Sequence, residues 1–207
     1  MEVPRKDLVL DIDDTKAYSF LFLGSTRSGK TTLITRKHKH YMERKINVII
    51  TESSQAEIYK DMTRKGVLMC PGYFPKLIKD CYIINRECDN KYNFNFIIDD
   101  LVGFRNDKQM TKLLTVYRNS NLGVMIGGQA RSLLSATGRT NINFVFLGRL
   151  NADEQIEQVC KAYLASFFPS TMKIVDKIKK YKEITADHNW IVLDNIHDDC
   201  FITKIKI

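Results

Sequence analysis

Residues Gly24-Ser25-Thr26-Arg27-Ser28-Gly29-Lys30-Thr31 fit the pattern G-x-x-x-x-G-K-[ST], and the apolar run Phe20-Leu21-Phe22-Leu23 leads directly into them. A strand, a glycine-bounded loop and the start of a helix are the context in which such a loop cradles phosphate. Glycine at both ends lets successive backbone N–H groups curl around a β-phosphate with no Cβ in the way. In that frame Lys30 neutralises the β/γ oxygens, and Thr31, followed by Thr32, offers a hydroxyl to a Mg²⁺ ion bridging them. The helix beginning near Lys30 turns its positive dipole end toward the anion. The alternative is a glycine turn that merely enters a helix. The pattern and both flanks favour a nucleoside triphosphate site.

A phosphate loop cannot hydrolyse anything without a carboxylate at the end of a buried strand. Phe94-Asn95-Phe96-Ile97-Ile98-Asp99-Asp100 supplies one. At such a strand end the first acid holds Mg²⁺, usually through water, and a second just beyond it polarises the attacking water, so Asp99 is assigned to the metal and Asp100 to the general base. Read in isolation, the pair is an Asp-Asp turn closing a strand. A further buried run, Asn121-Leu122-Gly123-Val124-Met125-Ile126-Gly127-Gly128, ends on Gln129. Where an extra strand separates the loop strand from the acidic strand, this run lies between them and Gln129 emerges beside the γ-phosphate. An amide there donates to phosphate and accepts from water at once. Its bland reading is a strand-end cap.

The elements that must hold these stations alternate along the chain. Apolar runs at Phe20 to Leu23, Val48 to Ile50, Val67 to Met69, Phe94 to Ile98, Leu122 to Ile126 and Phe144 to Leu147 read as strands. Helical spacing fills Thr31 to Arg44, Pro75 to Glu87, Asp107 to Tyr117 and Ala152 to Ser166. Near-continuous hydrophobic strands separated by helices predict a mostly parallel α/β sheet covered on both faces. The rhythm then breaks: Trp190 to Leu193 and Phe201 to Ile207 flank the turn-rich Asp194 to Asp199, an antiparallel hairpin. A chain of 207 residues, 44% hydrophobic, suits one domain, with a core over about 18–165 and a C-terminal helical and hairpin appendage over about 166–207. No run reaches the length of a membrane span and the first residues lack a secretory apolar core, so a soluble intracellular protein is expected. Five cysteines, odd in number and without a C-x-x-C pair, read as reduced thiols. A formal net charge of +8 favours a polyanionic partner, nucleic acid first.

The three stations and their spacing resemble the additional-strand P-loop ATPases, and more narrowly the FtsK/HerA superfamily, within it the genome-packaging ATPases of large double-stranded DNA viruses and related double-jelly-roll viruses. The resemblance is carried by Gly24 to Thr32, Ile97-Ile98-Asp99-Asp100, and Tyr117-Arg118-Asn119-Ser120-Asn121 leading through Ile126 to Gln129. Arg139-Thr140-Asn141-Ile142-Asn143 before the strand Phe144 to Leu147 supports it. It runs over about residues 18 to 165 and ends, as the family does, with a small strand pair. It implies a RecA-like fold, Mg²⁺-dependent ATP hydrolysis by in-line water attack, and a homo-oligomeric ring, pentamer or hexamer, through which double-stranded DNA is threaded. Recruitment to a capsid vertex or a membrane-associated capsid protein, in host cytoplasm or a viral factory, also follows from it. An arginine finger acting on the neighbouring subunit's nucleotide is expected, with Arg118 the first choice, then Arg149 and Arg139. Many relatives carry Asp-Glu where this chain has Asp99-Asp100.

Rival readings rest on other residues. Leu8-Val9-Leu10-Asp11-Ile12-Asp13-Asp14-Thr15 matches hhhDxDxT, the nucleophile motif of haloacid-dehalogenase-like phosphatases, with Asp11 as nucleophile. Too few residues separate Thr15 from the Phe20 strand for that fold's flap and helix, so Leu8 to Leu10 read as an edge strand followed by an acidic turn. Nucleoside and nucleotide kinases share the loop and the length, yet neither clustered lid arginines nor cysteine pairs are evident. A nucleotide-gated DNA-binding scaffold with negligible turnover is the non-enzymatic alternative. Basic clusters at Arg36-Lys37-His38-Lys39-His40 with Arg44-Lys45, and at Lys173, Lys177, Lys179, Lys180 and Lys182, are either solvated helix faces or contacts to DNA backbone.

Overall fold

The computed structural model describes residues 4–8, 10, 12–13, 15–37, 42–51, 59, 67–99, 107–129 and 134–205. Asp100, Asp11, and His38 to His40 of the first basic cluster lie outside the described residues. Six strands run parallel: β1 (Ser19–Leu23), β2 (Ile46–Thr51), β3 (Val67–Pro71), β4 (Phe94–Asp99), β5 (Leu122–Gly128) and β6 (Phe144–Leu147). The hairpin of β7 (Asn189–Asp194) and β8 (Asp199–Lys204) adds to them antiparallel. The single sheet has the order β3-β2-β4-β5-β1-β6-β7-β8. β5 therefore stands between the loop strand and the acidic strand, the insertion expected from the sequence, and β7 pairs with β6, so the hairpin prolongs the main sheet.

The continuous apolar runs are explained by burial on both faces. Leu21, Leu23, Ile98, Val124, Ile126 and Val145 point to one face, where helices α2 (Pro75–Glu87), α3 (Lys108–Thr115), α5 (Asp153–Tyr163) and α6 (Ile174–Ile184) contribute Ile78, Leu113, Ile156 and Tyr181. Phe20, Phe22, Ile97, Phe144 and Phe146 point to the other, against Leu33, Ile34, Met42 and Tyr59. There Phe20 stacks on Phe144 at 5.1 Å and Phe22 on Phe146 at 4.8 Å between ring centroids. Local chemistry sets the helix starts. Pro75 opens α2, Asp107 caps α3 by accepting from the N–H groups of Gln109 (2.7 Å) and Met110 (2.9 Å), and Ser135 caps the short α4 (Ala136–Thr140) through Gly138 N–H (3.1 Å).

Two expectations change. The helix predicted from Thr31 is α1 (Lys30–Thr32) followed by a π-helical turn, Leu33–Lys37, inside which Thr35 Oγ1 donates back to Thr31 O at 2.8 Å. Such back-bonding and a β-branched run both loosen a regular α-turn. Leu8 and Leu10 do not form the expected edge strand. They pack with Ile12 against the second face, and the sheet edge at β8 is flanked by Pro4 to Lys6, joined by an isolated bridge of Arg5 to Ile202. Among the described residues no helix is long and apolar enough to cross a membrane.

Candidate active site

Parallel pairing brings the carboxyl ends of β1, β4, β5 and β6 to one edge, and the phosphate loop rises between them. Gly24 N–H donates to Gly128 O at the end of β5 (3.0 Å), and Ser25 N–H donates to Arg149 O just beyond β6 (2.7 Å), so both neighbouring strands hold the loop's entry. Arg27 (φ 63°) and Gly29 (φ 95°) adopt the left-handed conformation that turns the chain back into α1. A Cβ on Gly24 would collide with Ser28 Oγ, which explains glycine at the loop's first position. Lys30 is buried, its ammonium donating to the carbonyls of Gly24 (3.0 Å) and Ser25 (3.2 Å), so a positive charge sits inside the curl. Ser28 Oγ, also buried, has no hydrogen-bond partner among the described residues.

Across β5, Asp99 ends β4 at 1% exposure. Its Oδ2 accepts from Thr31 Oγ1 at 2.8 Å and from the hydroxyl of Tyr59 at 2.5 Å. The loop hydroxyl and the strand-end carboxylate assigned to the metal from sequence are thus in direct contact. Both are hard oxygen donors of the kind Mg²⁺ selects. Among the described residues no group of three or more His, Cys, Asp or Glu could hold a metal, so such an ion would complete its shell with phosphate oxygens and water. Gly127 lies beside Asp99 in the β4–β5 register, and a Cβ there would overlap Asp99 Oδ1. Gln129 follows Gly128 at this edge and is exposed.

On the opposite side of the loop opens a cleft of about 390 Å³, lined by residues 25–28, by Arg149 and Asn151, and by Thr185 and the turn Asp187–Asn189. Asp187 (φ 52°) and His188 (φ 59°) are consecutive left-handed residues, a backbone cost that collects at functional sites.

The three arginines separate by position. Arg118 sits in the 3₁₀ turn Tyr117–Ser120 that precedes β5, at the amino ends of the strands. The seven residues of β5 set it roughly 20 Å from its own loop. Arg139 in α4, donating to Leu134 O at 2.8 Å, precedes β6 at that same far edge. Arg149 stands at the chain's own loop. The Asn141 and Asn143 stretch is a clamp at the amino edge of the sheet: Asn143 Oδ1 accepts from Ser19 N–H (2.9 Å) and Asn143 N–H donates to Ser19 Oγ (3.0 Å), tying the starts of β1 and β6. Asp13 of the rival motif is exposed, its Oδ1 accepting from Thr15 N–H (2.9 Å) and Thr15 Oγ1 (2.6 Å); these bonds to Thr15 hold its carboxyl below the usual range.

Sequence reasoning missed Tyr59, Gly127 and the Asp187–Asn189 turn. Only Gly127 left a signal, as one of the small residues closing β5; Tyr59 lies in a stretch without periodicity.

No family model and no curated sequence matches the chain. Solved structures do. The genome packaging NTPase B204 from Sulfolobus turreted icosahedral virus 2, in complex with ATP-gammaS, superposes with a TM-score of 0.67 at 14% identity, covering 95% of this chain and 100% of that one. B204, the DNA-packaging ATPase from Sulfolobus turreted icosahedral virus, gives 0.67 at 12% identity over 93% and 100%. The pCW3 conjugation coupling protein TcpA, with ATPgS, gives 0.62 at 15% identity, over 92% of this chain and 60% of that one. The chain therefore has the fold of these packaging and coupling proteins, the mostly parallel, additional-strand P-loop arrangement that the resemblance to the FtsK/HerA superfamily implied.

Proposed function

We propose that this protein is an Mg²⁺-dependent ATPase that assembles as a homo-oligomeric ring and drives double-stranded DNA into a viral capsid. The observation that carries the reading is the contact of Thr31 Oγ1 with Asp99 across β5, beside a loop whose curl encloses the Lys30 ammonium. A triphosphate laid along the loop has its γ end on the side of Asp99 and Gln129 and its nucleoside end on the side of the 390 Å³ cleft. Backbone N–H groups of residues 25–30, Ser28 Oγ and Lys30 bind the β/γ oxygens. Thr31 and Asp99 would hold a Mg²⁺ ion, which when bound would supply charge neutralisation at the phosphates. Asp100 accepts the proton of the attacking water, Gln129 orients that water and the γ-phosphoryl group, and the leaving diphosphate stays in the loop. Arg118 at the far edge of the sheet acts on the neighbouring subunit's nucleotide, since the length of β5 keeps it from its own. Arg149, at its own loop, serves the bound nucleotide in cis. The basic surfaces fit phosphate neutralisation without base readout, which is what a translocating motor requires.

Phosphate release, measured with and without duplex DNA and with and without nucleoside acceptors, tests this. Release stimulated by DNA and lost in Lys30→Ala is expected. Transfer to an acceptor would make the protein a kinase, nucleotide binding without turnover would make it a scaffold, and wild-type hydrolysis by Lys30→Ala would overturn the reading altogether.

A further inference from the structure

Two strand registers converge under the phosphate loop. Pairing of β1 with β6 sets Leu23 beside Leu147, and pairing of β6 with β7 sets Leu147 beside Ile191. One step toward the loop, the same registers bring Gly24, Gly148 and Trp190 into a row. Trp190, the single tryptophan of the chain, is fully buried. A Cβ on Gly148 would meet its six-membered ring at 2.7–2.8 Å, and one on Gly24 would meet the same ring at 3.3 Å. The two glycines thus form a shelf on which the indole lies. Its Nε1 is buried without a hydrogen-bond partner among the described residues. Desolvating that N–H carries a cost which an apolar side chain filling the same space would not. What the indole offers in exchange is a rigid plate long enough to reach both glycines.

Gly148 is itself a fixed point. Its N–H donates to Leu23 O (2.8 Å), its carbonyl accepts from the hydroxyl of fully buried Tyr181 on α6 (2.6 Å), and the next carbonyl, of Arg149, accepts from Ser25 N–H (2.7 Å). Asn189, the residue before Trp190, lines the cleft. We propose that Trp190 is a positioning residue for the phosphate loop: the indole plate, with Tyr181 locking Gly148 behind it, holds the loop's entry in its anion-binding curl and moves when nucleotide fills it. The proposal rests on the reading that the loop binds a nucleoside triphosphate. It assigns to β7, outside the loop and acidic strand, a part in nucleotide affinity.

The test uses the full chain. Tryptophan emission and thermal stability are followed in parallel while ATPγS is titrated. A saturable emission change whose midpoint coincides with that of the thermal shift is expected, with both lost in Lys30→Ala. In steady-state hydrolysis, Trp190→Phe should raise KM for ATP about tenfold with kcat within about twofold, the split expected when binding shared by ground and transition states is removed. Tyr181→Phe, which deletes one hydroxyl and leaves the indole in place, should raise KM about threefold and displace the emission maximum of the free protein. A thermal shift without any emission change, or a KM within about twofold of wild type in Tyr181→Phe, overturns the positioning role while leaving the nucleotide site intact. Absence of both thermal and emission responses in the wild type removes the nucleotide reading and the proposal together.

Discussion

Gly127→Ala is the sharpest perturbation the site allows. The residue lies beside Asp99 in the sheet, its backbone is outside the left-handed region, and alanine meets no conformational penalty there. The added methyl nevertheless overlaps Asp99 Oδ1, lies 3.2 Å from Asp99 Cγ and 3.3 Å from Ile34 Cδ1. Asp99 is buried between Thr31 and Tyr59 and has little room to retreat. Overpacking a rigid interior costs about 1–3 kcal/mol, and a hydrogen bond to a charged group contributes about 1.5–3 kcal/mol. If the carboxylate turns away and one hydroxyl loses it, the loss of stability is about 2.5–6 kcal/mol, which for a chain of this size lowers Tm by about 5–24 °C. Urea unfolding at unchanged m-value gives the first quantity and calorimetry the second. Phosphate release should fall with it, because the displaced carboxylate is the one that meets Thr31. The double variant Gly127→Ala with Asp99→Ala isolates the contact, since without the carboxylate the methyl should cost less than about 1 kcal/mol. A Gly127→Ala protein within about 0.5 kcal/mol of wild type and fully active would refute the steric reasoning.

Two further outcomes are expected. Arg118→Ala should keep its affinity for ATP yet lose the rise of specific activity with protein concentration, an effect on the order of 10³-fold for a finger supplied in trans. Mixing it with Lys30→Ala subunits should restore part of the activity, whereas Arg149→Ala, a cis residue, should gain nothing from that mixture. A rescued Arg149→Ala or an unrescued Arg118→Ala would exchange the two roles. Burial pushes the thiols of Cys81 and Cys160 up to about 11 and that of Cys200 up to about 12, so all three stay protonated at pH 8. Iodoacetamide should therefore modify them slowly in the native protein and readily in urea; rapid native labelling of any of the three, read by mass spectrometry, would contradict their placement.

Five of the six parallel strands were legible because each is buried on both faces, which writes it into the sequence as an uninterrupted apolar run such as Phe20 to Leu23 or Phe144 to Leu147. The positions of the loop, of Asp99 and of Gln129 were legible because each stands directly after a buried apolar run, which brings all three to the carboxyl edge of the sheet. Legibility ended where contacts join distant segments. Nothing around Tyr59 marks it as a donor to Asp99, since one buried hydroxyl has no period. The stretch of Asn141 and Asn143 supports the family resemblance as letters, and only the register of β1 against β6 shows that Asn143 ties the two strand starts through Ser19. Leu8 and Leu10 misled in the other direction: an apolar alternation says that a segment packs, and leaves open whether it pairs as a strand or lies across a sheet face. Arg118 and Arg149, first and second choice for the finger from sequence, stand at opposite edges of the sheet, a difference of position that only the strand order reveals.

The strand order also sets a timetable for the chain's own birth. Ser19 to Leu23 find their sheet neighbours in Val124 to Gly128 and in Phe144 to Leu147, so a ribosome must add more than a hundred residues before the phosphate-loop strand can pair at all. At translation rates of about 5–20 residues per second that wait is roughly 5–20 s, during which an unpaired segment of two phenylalanines and two leucines stands open to the cell. The hairpin of β7 and β8, by contrast, closes within a few residues of its turn. The centre of the molecule is thus the part that waits longest for its partners, and the newborn chain has reason to meet a chaperone while it waits.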